Sequence, residues 1–224
     1  MLILTMFLTS AFLAGSPTAV AEGGARSSHT YVEQFGPGFN EIVIATDGDD
    51  LNVPRDLEFH PSSSRQNELW VVNRATDSVT IIHSAGLANQ SSENRQDAYA
   101  NHFMEEVSAI AFGQDHFEFD YIFASAQETR NTYNGQQPPN NFMGPALWPS
   151  SLSHFAMENQ QPGGPLGSHL DMLHESPNGV GIAHDSGNAY WYNDGYYGEL
   201  VYYDFHDDHD TGGEDHEDGV VRRY

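Results

Sequence analysis

Three stretches of this chain follow one plan, and that repetition limits the fold more than any other feature. The first places strand-like runs at 53–61, 68–73 and 78–82; the second at 107–113, 121–125 and 152–157; the third at 179–185, 188–193 and 199–204. Each unit offers a first strand, a turn, an aromatic strand such as Leu69-Trp70-Val71-Val72 or Tyr190-Trp191-Tyr192, a polar loop and a third alternating strand such as Leu200-Val201-Tyr202-Tyr203. Short β-branched and aromatic runs bounded by Gly, Pro, Asn and Asp are the pattern of strands. Helical periodicity is nearly absent, so the expected class is all-β. A fourth strand should close each unit, and 98–103, 169–173 and 219–224 are the candidates. Repeat spacings of about 50–70 residues exceed those of simple blades, and loop insertions explain the excess.

The stretch Pro177-Asn178-Gly179-Val180-Gly181-Ile182-Ala183-His184-Asp185-Ser186-Gly187-Asn188-Ala189-Tyr190 resembles an NHL repeat, whose pattern runs Pro, Gly-Ile-Ala, Asp, Gly-Asn and then an aromatic strand. The likeness extends over 177–205, less closely over 53–82, and least over 107–157. It implies a β-propeller, often six-bladed, and says almost nothing about function. On this reading the blades occupy approximately 41–97, 98–168 and 169–224, and 41–46 is a lone closing strand. Three blades are about half of a six-bladed ring and would leave open sheet edges, which natural proteins avoid. The expectation is therefore an N-terminal part of a longer propeller; a complete, smaller β-sandwich is the alternative.

Residues 2–13 form an apolar run followed by small residues ending Ala19-Val20-Ala21, the arrangement of a secretory signal peptide over 1–21, with a linker over 22–40. The run is too short to span a bilayer. Export, to an extracellular or periplasmic location, is the expectation; a buried N-terminal strand competes with it. The chain has no Cys, so thiol chemistry is excluded. All eight basic residues are Arg, and 32 acidic residues bring the formal charge to −24. Such a surface repels nucleic acid and anionic membranes and suits cations, or a high-salt medium in which self-repulsion is screened; plain solvation in salt is the alternative to cation binding, and a small-molecule or peptide ligand is the expected partner.

A propeller throws alternate loops to opposite faces. One face would gather Arg55, Arg74, Arg130, Asp194 and Tyr196 as ligand contacts, with the insertion 127–149 supplying Phe142, Met143 and Trp148 as a lid. Pairing of these arginines with Asp56, Asp77 or Glu128 is the structural alternative. His102 and His174 stand at equivalent repeat positions, eight residues before Ile110 and Ile182, and imidazoles suit zinc, copper or iron. Some enzymes of the resembled family, such as peptide-amidating lyases, hold zinc with histidines just after an inner-strand Pro. Here Pro54 is followed by Arg55, and Ser108 and Val180 stand at the matching places, so no ligand transfers.

The other face would hold the acidic loop 204–218, in which Asp208-His209 and Asp215-His216 recur seven residues apart around Gly212-Gly213. Carboxylates are hard ligands for calcium, and glycines let a loop fold around an ion, although the order is not that of an EF-hand. A solvated acidic loop is the plain alternative. Metal candidates are thus His102, His174, Asp208, His209, Asp215 and His216, with zinc or calcium as cofactor. No His-Glu-x-x-His pair, phosphate loop or nucleophile elbow is present, and no catalytic residue is assigned. Three functions remain open: a secreted binding module with a metal ion, a metal-dependent lyase or hydrolase, and a calcium-stabilised scaffold.

Overall fold

The computed structural model describes residues 42–131, 141–216 and 218–224. The expected signal peptide, the linker, Glu41, residues 132–140 of the insertion and Glu217 lie outside the described residues. The rest is nearly all-β, arranged as three four-stranded antiparallel sheets. The first contains β1 (Pro54–Phe59), β2 (Leu69–Asn73), β3 (Ser78–His83) and β4 (Ser91–Arg95). A single helical turn, α1 (Ala100–Phe103), leads to β5 (Val107–His116), β6 (Asp120–Gln127), β7 (Ala146–Pro149) and β8 (Asp171–Met172). The third contains β9 (Gly179–Ser186), β10 (Ala189–Asp194), β11 (Glu199–Asp204) and β12 (Val220–Arg223). Within each sheet the strands neighbour one another in chain order.

Alternating side chains give each sheet two faces, and the faces stack. Trp70, Val72, Val79 and Ile81 of the first sheet meet Ile110, Phe112, Phe123 and Trp148 of the second. The second sheet's reverse face is mostly small, with Ala109, Ala111, Ala124 and Ala126, and it receives Tyr190, Tyr192 and Tyr203 of the third. Small residues opposite large ones let the two faces close without voids. Gly113 marks a close approach of the two faces, since a Cβ there would lie 2.1 Å from the Tyr190 hydroxyl.

The first strands of the sheets lie side by side, β1 beside β5 and β5 beside β9. Side chains, rather than a continuous ladder, join them. Asp56 Oδ2 accepts from the Ile110 amide at 3.1 Å, Glu58 Oε2 accepts from the Phe112 amide at 2.6 Å, and the Ser108 hydroxyl donates to the Gly179 carbonyl at 2.6 Å. These bonds satisfy edge groups that would otherwise invite a foreign strand.

Three expected strands do not form, and two of them have their places taken by others. Residues 98–103 are not the closing strand of the first unit; Asp97 Oδ1 accepts from the Tyr99 amide at 2.8 Å and starts the turn that becomes α1. The closing strand is β4, whose Ser-Ser-Glu-Asn-Arg sequence carries no apolar alternation. Residues 152–157 fold as turns, and their place beside β6 is taken by β7, from within the insertion. Met143 and Trp148 are accordingly fully buried core residues and not a lid. Residues 42–46 form no strand, and Ile42 and Val43 are exposed; the segment is held where the Gln90 side-chain Nε2 donates to the Ile44 carbonyl. The described residues form no closed ring.

Candidate metal centre

The sharpest chemistry lies where the loop between β11 and β12 folds back over β8. β8 is only two residues long, paired to β7 through Ala146↔Met172 and Leu147↔Asp171, and it fixes Asp171 in a fully buried position. The folded-back loop is tied down by its backbone. The His209 amide donates to the Leu170 carbonyl at 3.3 Å, the Gly212 amide to the His169 carbonyl at 2.8 Å, and the Leu166 amide to the Gly212 carbonyl at 3.0 Å. Gly212 sits at φ +76°, and a Cβ there would press on the Leu166 nitrogen at 2.7 Å, so only glycine fits the crossing.

The crossing delivers His209, His216 and Asp218 to Asp171. His209 Nε2 stands 3.8 Å from Asp171 Oδ2 and 3.4 Å from Asp218 Oδ1, and His216 Nδ1 stands 3.2 Å from Asp171 Oδ1. Donor atoms of Asp171, His209 and Asp218 all lie within 4.8 Å of one another, so this group could hold a metal ion. Asp171 is buried and Asp218 exposed, which leaves the group open on one side.

Around this triad stands a wall of imidazoles and phenyl rings. The His169 ring is stacked on Phe103 at 3.5 Å, His174 on Phe142 at 4.0 Å, and His102 on Phe142 at 5.4 Å. The His216 ring lies 5.5 Å from that of His169 and 5.6 Å from that of His174. Burial pushes His169 down to about 3 and His174 to about 4, with His216 the next contributor in both; carbonyls of Leu166 and Gly213 pull His169 the other way. Burial and then His216 also lower His102. All three are therefore neutral at pH 7, the form that binds metal.

Buried polar groups are ordinarily hydrogen-bonded, because leaving one unmade costs about 1–3 kcal/mol. Among the described residues, seven buried side-chain polar atoms lack such a partner, and four of them belong to this cluster: His169 Nε2, Asp171 Oδ2, His174 Nδ1 and His209 Nε2. His169 Nδ1 pairs with the Leu166 carbonyl at 2.7 Å, which puts its proton there and leaves the Nε2 lone pair bare.

Of the six sequence candidates for a metal site, His209 belongs to the triad, while His102, His174 and His216 line its wall. Asp208 instead approaches Asn188 Nδ2 at 3.3 Å and His116 Nε2 at 3.8 Å, and Asp215 is exposed. Asp171 and His169 escape the sequence reading, and Asp218 figures there only in the acidic loop. Their local signal is His169-Leu170-Asp171-Met172-Leu173-His174, in which alternate positions share one face of an extended segment. His216 also breaks the assignment of the acidic loop and His174 to opposite faces.

The proposed ligand contacts lie elsewhere. Arg74 donates to Glu106 at 2.8 Å and Glu128 at 2.9 Å, and Arg55 pairs with Glu128 at 3.1 Å. Arg130 donates to Asn141 Oδ1 at 2.6 Å and covers the Tyr196 ring at 4.4 Å. Asp194 is fully buried, accepting from the amides of Tyr196 and Tyr197, both at 2.9 Å, and from Arg223. Arg130 and Glu128 border a shallow open depression of about 530 Å³ that also includes Glu105, Glu106 and Asn178.

No protein-family model matches this chain, and neither a curated protein nor a solved structure shows significant similarity to it. No helix among the described residues is long and apolar enough to cross a membrane.

Proposed function

We propose that this chain is an exported metal-binding recognition module, built from consecutive propeller-type blades, that holds a divalent transition ion at Asp171, His209 and Asp218. The observation that carries the reading is the buried Asp171 carboxylate with one oxygen bare, facing a bare His209 nitrogen. An ion between them would neutralise the charge and occupy both lone pairs, which nothing else among the described residues does. An imidazole with two carboxylates suits zinc, manganese or iron, whereas calcium takes six to eight oxygens. The exposed Asp218 side leaves room for a small-molecule or peptide ligand to reach the ion. Three protein ligands and an open position also describe a hydrolytic or lyase centre, which is the second reading.

The propeller reading rests on three in-order antiparallel sheets whose first strands neighbour one another. The export reading rests on the apolar residues 2–13 and the small residues after them.

Chelator-treated protein is expected to take up zinc from micromolar solution, measured by metal analysis after gel filtration. Combining Asp171→Asn with His209→Ala should weaken uptake at least about 100-fold, since ligand loss exceeds the 10–100-fold cost of disturbing outer partners. Wild-type protein that takes up no zinc, manganese or iron would remove the reading.

A further inference from the structure

We infer that the outward face of the third sheet is the surface on which two copies of this chain pack against each other, sheet to sheet. Three observations on that face carry the inference, and none of them involves the metal group.

The first is that the face is apolar and uncovered. Strand alternation turns Tyr190, Tyr192 and Tyr203 onto the second sheet and turns Trp191, Leu200 and Tyr202 the other way. Cross-strand pairing sets Ala183, Trp191, Tyr202 and Arg222 in one row and Gly181, Asn193 and Leu200 in the next. Tyr224 joins the second row by exchanging backbone hydrogen bonds with Leu200, at 2.9 and 3.3 Å. The Trp191 ring meets that of Tyr202 at 5.1 Å and that of Tyr224 at 5.7 Å. Leu200 is 49% exposed and Tyr224 68%. On the first sheet, Ala45 and Leu51 pack over the outward residues Leu69, Val71 and Ile82. None of the hydrophobic clusters among the described residues takes in Trp191, Leu200 or Tyr202. An exposed apolar patch with a polar rim marks an interaction surface, and Trp, Tyr and Arg carry much of the energy of such contacts.

The second is Arg222. Among the described arginines, Arg55, Arg65, Arg74, Arg95 and Arg223 pair with carboxylates and Arg130 with Asn141. Arg222 instead covers the Tyr202 ring at 5.8 Å and has no ion pair among the described residues, in a chain with 32 acidic side chains.

The third is self-complementarity. The order β12-β11-β10-β9 puts Arg222 and Tyr224 on one edge of the face and the small Gly181 and Ala183 on the other, next to exposed Asp185. The Trp191 indole holds Asp185 on this face by donating to its Oδ1 at 3.1 Å. A two-fold axis running along the strands lays the β12 edge of each copy over the β9 edge of the other. Tyr224 then covers Gly181 of the other copy, and Arg222 reaches Ala183 beside Asp185. Large side chains over small ones already close the second sheet on the third. A patch that matches itself in this way is what a two-fold dimer requires. Each copy has a formal charge of −24, so repulsion opposes the pairing until salt screens it.

Analytical ultracentrifugation of the chelator-treated chain tests this, with chelator present so that no ion bridges copies and with circular dichroism confirming each fold. A dimer is expected at about 1 M sodium chloride, dissociating at least about tenfold more readily at about 0.1 M. Trp191→Ala and Tyr202→Ala should each weaken it at least about tenfold, and Leu200→Glu, which alters an exposed side chain, should abolish it. Arg222→Asp should also abolish it, and Arg222→Asp combined with Asp185→Arg should restore it. A chain that stays monomeric at high salt would overturn the inference while leaving the metal centre untouched. So would a dimer that Leu200→Glu leaves intact, since the contact would then lie elsewhere, as at the open edge of β12. A dimer that tightens as salt is removed would overturn it too.

Discussion

Two histidines in this protein have their proton affinity lowered to the same extent by burial and differ in how their ring nitrogens are used. His60, near the end of the first strand, is nearly fully buried, and burial lowers it to about 4, with nearby Arg65 adding to the effect. His174 is likewise lowered to about 4 by burial. Around His60, however, both nitrogens are used: Nε2 meets the Ser150 hydroxyl at 3.0 Å, and Nδ1 accepts from the Ser62 amide at 3.2 Å. Its ring packs edge-on against Phe112 and Tyr121. His174, His169 and His209 each keep a bare buried nitrogen, and that of His209 lies 3.8 Å from the bare Asp171 Oδ2. A depressed proton affinity therefore does not mark a site. Unmet hydrogen-bonding capacity does, because folding tolerates that cost where something else repays it.

The contrast predicts opposite mutational behaviour in metal-free protein. His60→Ala removes a satisfied core side chain and strands the Ser150 and Ser62 groups, at an expected cost of about 3 kcal/mol in chemical denaturation. His174→Ala also removes a polar atom that has no partner, so its cost should stay within about 1 kcal/mol. Equal losses at the two positions would erase the distinction.

A smaller effect concerns pH. His60 is neutral in the folded protein down to about 4, whereas its unfolded value is near 6.5. Between those values the unfolded chain binds the extra proton, so the stabilisation is present above 6.5 and is lost as pH falls toward 4. Wild-type stability minus that of His60→Gln should fall by about 2 kcal/mol between pH 7 and pH 4. A difference that stays flat would mean that His60 is not buried in its neutral form.

Much of the sheet structure is legible in the sequence because buried strands advertise themselves. Leu69–Asn73 is buried along its whole length, and Tyr190 and Tyr192 alternate with more exposed neighbours. Edge strands do not: Ser91–Arg95 is wholly polar, since it pairs on one side and meets solvent on the other, and residues 98–103 look more strand-like than it does. β7 is hidden for another reason, being set within an insertion rich in Asn, Gln and Pro. The site is half legible. Repeat alignment singles out His102 and His174, both of which the fold stacks on Phe142. Asp171 carries no comparable signal, because its partners arrive from a loop more than thirty residues later whose path depends on a glycine crossing. Loop acidity overstates Asp208 and Asp215 for the same reason, since composition reports charge and not convergence.

Diffraction data collected just above and below the zinc absorption edge, on crystals grown with zinc, bear most directly on the central claim. The account predicts an anomalous peak bonded at about 2.0–2.2 Å to Asp171 Oδ2, His209 Nε2 and Asp218 Oδ1. A clear peak at Asp208 or Asp215 with none at Asp171, or water filling the space between Asp171 and His209 in zinc-saturated crystals, would contradict it.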